Sequence, residues 1–313
     1  MAGPAQFPLL SQAGVQAVIL EGYDTSLAGS WVGRLTNRYS SVRATETYAG
    51  VGNVAPMREW IGPKQVIPIN QGTFTVSNKD WESTLQLEEK DLRRDGTGQL
   101  ATKVSEFSTR AVQHYEQILS TLINTADAGT VGLAFDGQYY FDTDHSFGSS
   151  GTINNDISFD VATTTAPTPV EMVDAILASI QALYGFKDDH GQPSNGGAMN
   201  FLVMVPVTFW AAAMTATTQQ YLTSGVSNRL KGTNLSIEVV ANPRLTWTTA
   251  FATFALDRPT KPFLIQEEVA PYIESTKRDG DFWFDNHAEK HSIVSSDNVW
   301  FQRYDGAVLT TLT

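Results

Sequence analysis

The sequence predicts a mixed α+β protein, and three stretches carry that prediction. Over residues 98–126, apolar residues recur every three or four positions, which is typical of one face of a long helix. Residues 45–87 instead alternate between polar and apolar side chains as strands do, most clearly at 73–77 and 84–87. Residues 195–243 contain an apolar strand, a helix after Pro206 and a second strand, which together predict a small α/β unit.

The predicted long helix spans about seven turns, or roughly 40 Å. Its apolar stripe consists of Leu100, Val104, Phe107, Ala111, Tyr115, Leu119 and Leu122. Its polar face carries Lys103, Glu106, Arg110, Gln113 and Glu116. A helix of this length is expected to lie across a large domain as a strut, and an ordinary surface helix is the alternative.

Residues 42–87 are predicted to form a long β-hairpin, with its tip at the Gly-Pro turn within residues 60–64. A limb of about 15 residues would span roughly 50 Å. A compact globule of this chain length has a radius of gyration of about 20 Å, so the hairpin should project beyond its own domain. Because an isolated hairpin is marginally stable in water, we expect it to rest on a neighbouring copy.

The composition bounds the class of protein. The chain has 313 residues and 42 % hydrophobic content, enough for one large or two ordinary domains. Acidic residues outnumber basic ones 33 to 21, and no basic tract stands out, which disfavours direct binding to a nucleic acid backbone. The absence of cysteine excludes disulfides and thiolate metal sites and permits intracellular assembly. We expect neither a secretory signal nor a membrane span.

The remaining segments give weaker signals. Residues 1–41 hold short helical runs at 12–20 and 25–35, which predict an arm that gains structure by packing on other elements, with disorder as the alternative. The mixed-charge run at 87–95 is either a solvated turn with weak ion pairs or a set of contacts between subunits. Residues 169–184 predict an amphipathic helix, and residues 262–266, 281–284 and 299–304 predict strands.

Two clusters could carry chemistry. His287 and His291 flank Glu289, but the order does not fit either metalloprotease motif, so we expect a solvated turn. Asp142, Asp144 and His145 resemble a metal cluster without a second ligand group at suitable spacing, which leaves a metal-dependent hydrolase as the weaker alternative. No nucleophile elbow, P-loop or dinucleotide fingerprint occurs. We therefore assign no catalytic residue, cofactor or metal, and expect no enzyme.

Four stretches together resemble one known family. Residues 48–62 (YAGVGNVAPMREWIG) and 74–84 (FTVSNKDWEST) look like the major head subunit family of Mu-like phages and prophages. Residues 135–145 (FDGQYYFDTDH) are similar to that family's Asp-Gly-Gln…Phe-Phe-Asp…His block. Residues 261–267 (KPFLIQE) are similar to its Lys-Pro-Phe…Gln-Glu block. Each stretch alone is weak, and the combination is specific.

The resemblance implies the tailed-phage capsid fold of the Hong Kong 97 type. In that plan, residues 1–41 form an N-terminal arm and residues 42–87 an extended β-hairpin loop. Residues 88–192 form a peripheral domain whose spine helix is 98–126. Residues 193–243 form an axial domain, and residues 244–313 return to the peripheral domain.

The resemblance further implies a major capsid protein that assembles into hexamers and pentamers of an icosahedral shell around phage double-stranded DNA. An encapsulin-like compartment of the same fold is the alternative. The implied location is the virion, after assembly in the bacterial host cytoplasm. Because the chain begins at the arm, we expect a separate scaffold or protease protein, besides portal and decoration proteins. No crosslinking lysine and asparagine can be placed, so no isopeptide chemistry is assigned.

Two groups of residues are the predicted contacts between subunits. The first lies at the tip of the loop. The second is the mixed-charge run before the long helix. The predicted contact residues are Arg58, Glu59, Trp60, Lys64, Glu88, Glu89, Arg93, Arg94 and Asp95.

Overall fold

The computed structural model describes residues 12–49, 52–64, 66–95, 97–222, 225, 227–276 and 280–313. Residues 1–11, the beginning of the predicted arm, lie outside this part of the chain. The helices described are α1 (Gln12–Gly29), α2 (Val32–Leu35), α3 (Glu89–Arg94), α4 (Gln99–Asn124), α5 (Pro169–Gly185), α6 (Trp210–Thr218) and α7 (Asp281–Asn286).

The described strands form three sheets. Their bounds are β1 (Thr36–Ser40), β2 (Thr45–Ala49), β3 (Thr73–Ser77), β4 (Lys79–Glu88), β5 (Asp156–Phe159), β6 (Asn200–Val205), β7 (Ser236–Ala241), β8 (Ala250–Ala255), β9 (Phe263–Ser275), β10 (Ala288–Phe301) and β11 (Ala307–Leu312). One sheet has the order β5-β11-β8-β6-β7, a second has the order β1-β9-β10-β4, and β2 pairs with β3.

The main core lies around the five-stranded sheet and helices α5 and α6. The strand β6 is buried from Phe201 to Val205, and every residue of β8 is buried, as expected for inner strands with both faces covered. The helix α5 begins at a capping box, in which Thr168 and Glu171 satisfy each other's backbone N–H groups. The predicted strand–helix–strand unit is present as β6, α6 and β7, with β6 and β7 parallel.

The predicted long helix is present as α4, within two residues of its predicted ends. In its apolar stripe, Val104, Tyr115, Leu119 and Leu122 are buried, because α1 packs along the helix and β10 lies against it. The described part of the arm is also packed on other elements: Val15 and Ile19 of α1 are buried, and β1 pairs in parallel with β9.

The long hairpin is only partly present. The strands β2 and β3 pair antiparallel over five residues each, from Thr45↔Ser77 to Ala49↔Thr73. In the described residues between them, 52–64 and 66–72, no strand forms. Pro56, Pro63 and Pro68 interrupt this stretch, and proline cannot donate to a ladder. The strand β4, which was predicted as part of the second limb, pairs with β10 instead. The limbs are therefore paired over five residues each, and not over the expected length of about 15 residues.

Two further predictions near the carboxyl end are wrong. Residues 281–284 lie in the helix α7 and not in a strand. His291 and Glu289 lie in β10, between β9 and β4, and both side chains are fully buried. His291 Nε2 lies 3.0 Å from Glu289 Oε2, and its Nδ1 lies 2.8 Å from Ser275 Oγ. The predicted solvated turn is limited to His287, which follows α7, is exposed and has φ 47°.

Candidate assembly surfaces

The segment between β2 and β3 exposes a group of large apolar side chains. We call its described residues 54–64 and 66–69 the loop tip. The exposed apolar residues are Val54, Met57, Trp60, Ile61, Val66, Ile67 and Ile69. Trp60 alone keeps 72 % of its surface accessible. Soluble monomers rarely expose contiguous apolar patches of this kind, and such patches mark sites of interaction.

The predicted tip residues meet around one concavity. Its lining comprises Val54, Ala55, Pro56, Met57, Arg58, Trp60, Lys64, Ile67 and Ile69. The indole Nε1 of Trp60 donates to the carbonyl of Gly62 at 2.7 Å, and Gly62 adopts φ 78°, which favours glycine. The Nζ of Lys64 lies 5.4 Å from the centroid of the Trp60 ring, within cation–π range. Glu59 is exposed beside this concavity but does not line it.

The charged run occupies a different place in the fold. Glu88 ends β4, and the next six residues form α3. Lys90 pairs with Glu88, and Arg93 Nη2 lies 3.4 Å from Glu89 Oε1; exposed pairs such as these stabilise little. Arg94 is exposed. The structure therefore does not bring this run and the loop tip onto one element.

Asp95 has a role within the subunit that the sequence did not reveal. Its carboxylate accepts from the backbone N–H of Gly98 at 2.9 Å, of Gln99 at 3.2 Å and of Leu100 at 2.9 Å. These N–H groups belong to the start of α4, where no intrahelical acceptor exists. The bond from Leu100 is the main cause of the lowered pKa of Asp95. A carboxylate here also opposes the positive end of the helix dipole.

The root of the loop is attached to the body of the subunit at Asp189. The Oδ1 of Asp189 accepts from the backbone N–H of Asn53 at 2.9 Å and from its Nδ2 at 3.0 Å. The Oδ2 accepts from Asn70 Nδ2 at 2.8 Å. Burial raises the pKa of Asp189, but these donors outweigh that effect and the pKa is lowered. No local sequence pattern indicates this contact, because Asn53 and Asn70 lie 136 and 119 residues before Asp189 along the chain.

Other exposed apolar side chains were also missed by the sequence patterns. Phe284 lies on α7, between β9 and β10, and keeps 80 % of its surface accessible. Val207, Trp210 and Tyr221 are exposed in and around α6. The aromatic run at 282–284 could have drawn attention to α7, because large aromatic residues between charged ones are typical of contact surfaces.

The suspected metal cluster is occupied by hydrogen bonds within the fold. His145 is fully buried; its Nδ1 lies 2.7 Å from Asp136 Oδ2, and its Nε2 lies 3.2 Å from the carbonyl of Tyr140. Both ring nitrogens therefore lie against groups of the subunit itself. Asp144 Oδ1 accepts from Gln138 Nε2 at 2.8 Å. Among the described residues, no group of three or more His, Asp or Glu side chains is placed to hold a metal ion.

The architecture defines the class of protein. The structure is similar to the procapsid subunit of bacteriophage JBD30, with a TM-score of 0.55 and 19 % identity, over 96 % of this chain and 74 % of that one. It is also similar to a virus-like particle from Pyrococcus furiosus, with a TM-score of 0.50 and 10 % identity, over 95 % and 97 % of the two chains. These likenesses confirm the predicted tailed-phage capsid fold of the Hong Kong 97 type.

The sequence then gives the family. The chain belongs to the Mu-like prophage major head subunit gpT family, whose model matches residues 12–173. It is 28 % identical over 120 residues to the Mu-like prophage FluMu major head subunit of Haemophilus influenzae. It is 26 % identical over 106 residues to the major capsid protein of Escherichia phage Mu. The first alignment covers 38 % of this chain and 38 % of the Haemophilus influenzae protein. The second covers 34 % of this chain and 33 % of the phage Mu protein. The predicted family resemblance is confirmed. In the described ranges, no helix combines the length and apolarity needed to cross a membrane.

Proposed function

We propose that this chain is a major capsid protein that assembles into hexamers and pentamers and so forms an icosahedral shell around phage double-stranded DNA. It acts as a structural subunit and not as an enzyme. The observation that carries the proposal is the loop tip, an exposed apolar surface with charged residues at its margin, on a chain of the gpT family. The family relatives named as head subunit and capsid protein support the same conclusion.

The loop tip supplies the proposed contact with a neighbouring subunit. Trp60 and the apolar residues around it form the centre of the contact, and Arg58, Glu59 and Lys64 form its polar margin, the usual arrangement of an interface. Each such contact can be weak while the closed shell is stable, because every bond made renders the remaining ones effectively intramolecular. We expect several such surfaces per subunit, which together would reach the size range of obligate interfaces.

The charged run is the second proposed contact region. Glu88, Glu89, Arg93 and Arg94 offer charges of both signs near the start of α4, suited to pairing with a neighbour at the margin of an interface. Asp95 belongs to the same run, but its carboxylate is engaged at the start of α4, so we propose that it acts there first.

The acidic balance of the chain is compatible with a DNA container. With a formal charge of −12, the subunit is not suited to tight, salt-dependent binding of the DNA backbone. DNA would be enclosed without sequence-specific contacts. We also propose that the subunits assemble in the host cytoplasm and that the finished shell is part of the virion. The proposed partners are a separate scaffold or protease protein, a portal protein and a decoration protein.

A protein container without a phage genome is the second candidate. The fold alone leaves it open, because the Pyrococcus furiosus particle shares the fold at nearly full length. The match to the gpT family favours a phage head, because that family model describes head subunits. Nucleic acid extracted from purified particles, compared with protein cargo in the same particles, separates the two candidates.

The test of the proposal is sedimentation of the purified protein, with negative-stain imaging of each fraction. Rings of five or six subunits, or closed shells, are the expected result. The same experiment is repeated with the neighbouring head genes co-expressed, because a scaffold protein can be required. A chain that sediments as a monomer under both conditions would overturn the proposed function.

A further inference from the structure

The contact at Asp189 joins three separate parts of the chain. Asp189 lies in the turn between α5 and β6, and its side chain is fully buried. Its two oxygens accept three hydrogen bonds, two from Asn53 on the first limb of the loop and one from Asn70 on the second. One carboxylate therefore holds both limbs and the body together.

Further contacts support the same junction. Gly52 N donates to the carbonyl of Asn70 at 3.2 Å, which ties the limbs directly to each other. His190 Nε2 lies 3.1 Å from the carbonyl of Asn53, so the residue next to Asp189 holds the same limb. The packing is close: a Cβ on Gly52 would lie 2.7 Å from the carbonyl of Asn70 and 2.9 Å from Asp189 Oδ2.

Beyond this junction the loop has little attachment to its own subunit. Of the described residues between Asn53 and Asn70, all except the half-buried Ala55 are exposed. Below the junction, the limbs are already paired as β2 and β3. Among the hydrogen bonds described between the body and the loop, those at Asp189 and His190 are the ones nearest to the tip.

We infer that Asp189 is a clamp that fixes the direction in which the loop tip leaves the subunit, and hence a positioning residue for the contact with the neighbouring copy. The inference rests on the proposed function for its second half and on the geometry for its first. The bonds to Asp189 are charge-assisted, which makes them roughly twice as strong as neutral ones. A fixed loop also loses less entropy when it meets its neighbour.

The central variant is Asp189→Asn. The new amide has nearly the same size but no charge: its oxygen can still accept from Asn53, while its NH₂ group meets Asn70, whose own amide has to turn over to accept from it. The charge-assisted bonds at the junction therefore become neutral ones. The matched control is Asp188→Asn in the same turn. Asp188 Oδ1 accepts from the backbone N–H groups of His190 and Gln192, and no hydrogen bond described for it reaches either limb.

The first readout is hydrogen exchange of the unassembled subunit. In Asp189→Asn, the amides of Gly52 and Asn53, which are hydrogen-bonded at the junction, should exchange about tenfold faster, because bonds to a charged group become neutral ones. Exchange in α4 and in the five-stranded sheet should be unchanged. The control should match the unmodified protein throughout. The second readout is the yield of closed shells, which should fall in Asp189→Asn and stay unchanged in the control.

A polarity swap separates positioning from general destabilisation. In the double variant Asp189→Asn with Asn70→Asp, the amide at position 189 can donate to a carboxylate at position 70, so the bond re-forms in the opposite sense. Slow exchange and shell yield should return toward those of the unmodified protein. If Asp189→Asn fails to fold, Asn70→Ala takes its place. It removes the half-buried donor of the second limb, and its amide exchange and shell yield are compared with those of the unmodified protein in the same way.

The outcomes are distinct. Unchanged exchange in Asp189→Asn, or a swap that recovers nothing, would overturn the clamp. Faster exchange with an undiminished shell yield would overturn the positioning role. If the unmodified protein forms no shells under any condition, the proposed function fails, while the exchange comparison still decides the clamp.

Discussion

Asp305 is a buried carboxylate held by two arginine side chains. Arg303 donates to it through Nε at 2.9 Å and Nη2 at 2.7 Å, and Arg258 Nη2 lies at 2.9 Å. Burial opposes ionisation of Asp305, but the guanidinium groups of Arg258 and Arg303 hold its pKa well below the usual range. The hydroxyl of Ser194 also donates to it, so the cluster joins three separate stretches of chain.

Asp305→Asn should lower the free energy of unfolding by about 3–5 kcal/mol, because it leaves two guanidinium groups buried with one neutral partner. The measurement is denaturant unfolding of the unassembled subunit. Asp160→Asn is the control, since Asp160 is exposed and accepts from the hydroxyl of Thr313. Equal midpoints for the two variants would contradict the prediction.

Lowering the pH should reduce the stabilisation that Asp305 contributes to the folded subunit, within a defined pH window. The pKa of Asp305 is lower in the folded state than its ordinary value of 3.8, so the unfolded chain binds more protons and stability rises with pH. The stabilisation is thus complete above about pH 4 and is lost as the pH falls through the folded pKa. The difference in unfolding free energy between the unmodified protein and Asp305→Asn should be constant from pH 7 to 5 and narrow below pH 4. A difference that narrows already near neutral pH would argue against this assignment.

At the scale of elements, α4 depends on a side chain outside the helix. Asp95→Asn weakens the acceptor of the N–H groups at the helix start, so amides 98–100 should exchange faster and the melting temperature should fall slightly. Asp91→Asn is the control, because Asp91 is exposed and lies in α3. Unchanged exchange at residues 98–100 would show that Asp95 is dispensable for the cap.

The elements also show what could be predicted from the sequence. The helix α4 was predicted almost to its ends, because 26 residues with one apolar stripe leave little choice of structure. Alternation predicted β3 and much of β4, but alternation does not name a strand's partner. Leu87 of β4 lies opposite Glu289 of β10, some 200 positions away, so the assignment of β4 to the hairpin was wrong. The aromatic residues of α7 favoured a strand on propensity, which tertiary context overrode.

The contacts of the candidate site also join residues that lie far apart in the sequence. The loop tip could be found from its local sequence, because Gly62 and Pro63 mark a turn beside Trp60. The clamp at Asp189 could not, because an aspartate in a polar turn has no distinguishing local pattern. The family resemblance supplied the overall plan, and the residues that fix the loop within that plan came from the structure.

At the scale of the whole molecule, the loop tip and the core are separable. The side chain of Trp60 is 72 % exposed, and its indole N–H bond stays within the turn, so the fold does not depend on it. Such a side chain is stabilised chiefly when a second molecule covers it. Fully burying a large aromatic residue contributes about 1.5–3 kcal/mol per contact, repeated over every subunit of a shell.

Trp60→Ala should therefore leave the melting temperature and helix content of the subunit unchanged and strongly reduce the yield of rings or shells. Trp60→Phe is the matched control, because it keeps an aromatic surface and removes only the local bond to Gly62. Its assembly should remain close to that of the unmodified protein, as judged by sedimentation at several protein concentrations. If the protein concentration needed for assembly rises only in Trp60→Ala, the loss lies in association between subunits. If Trp60→Ala forms shells at full yield, the loop tip is not part of the interface. The surfaces left to test are then α7 and the exposed residues around α6.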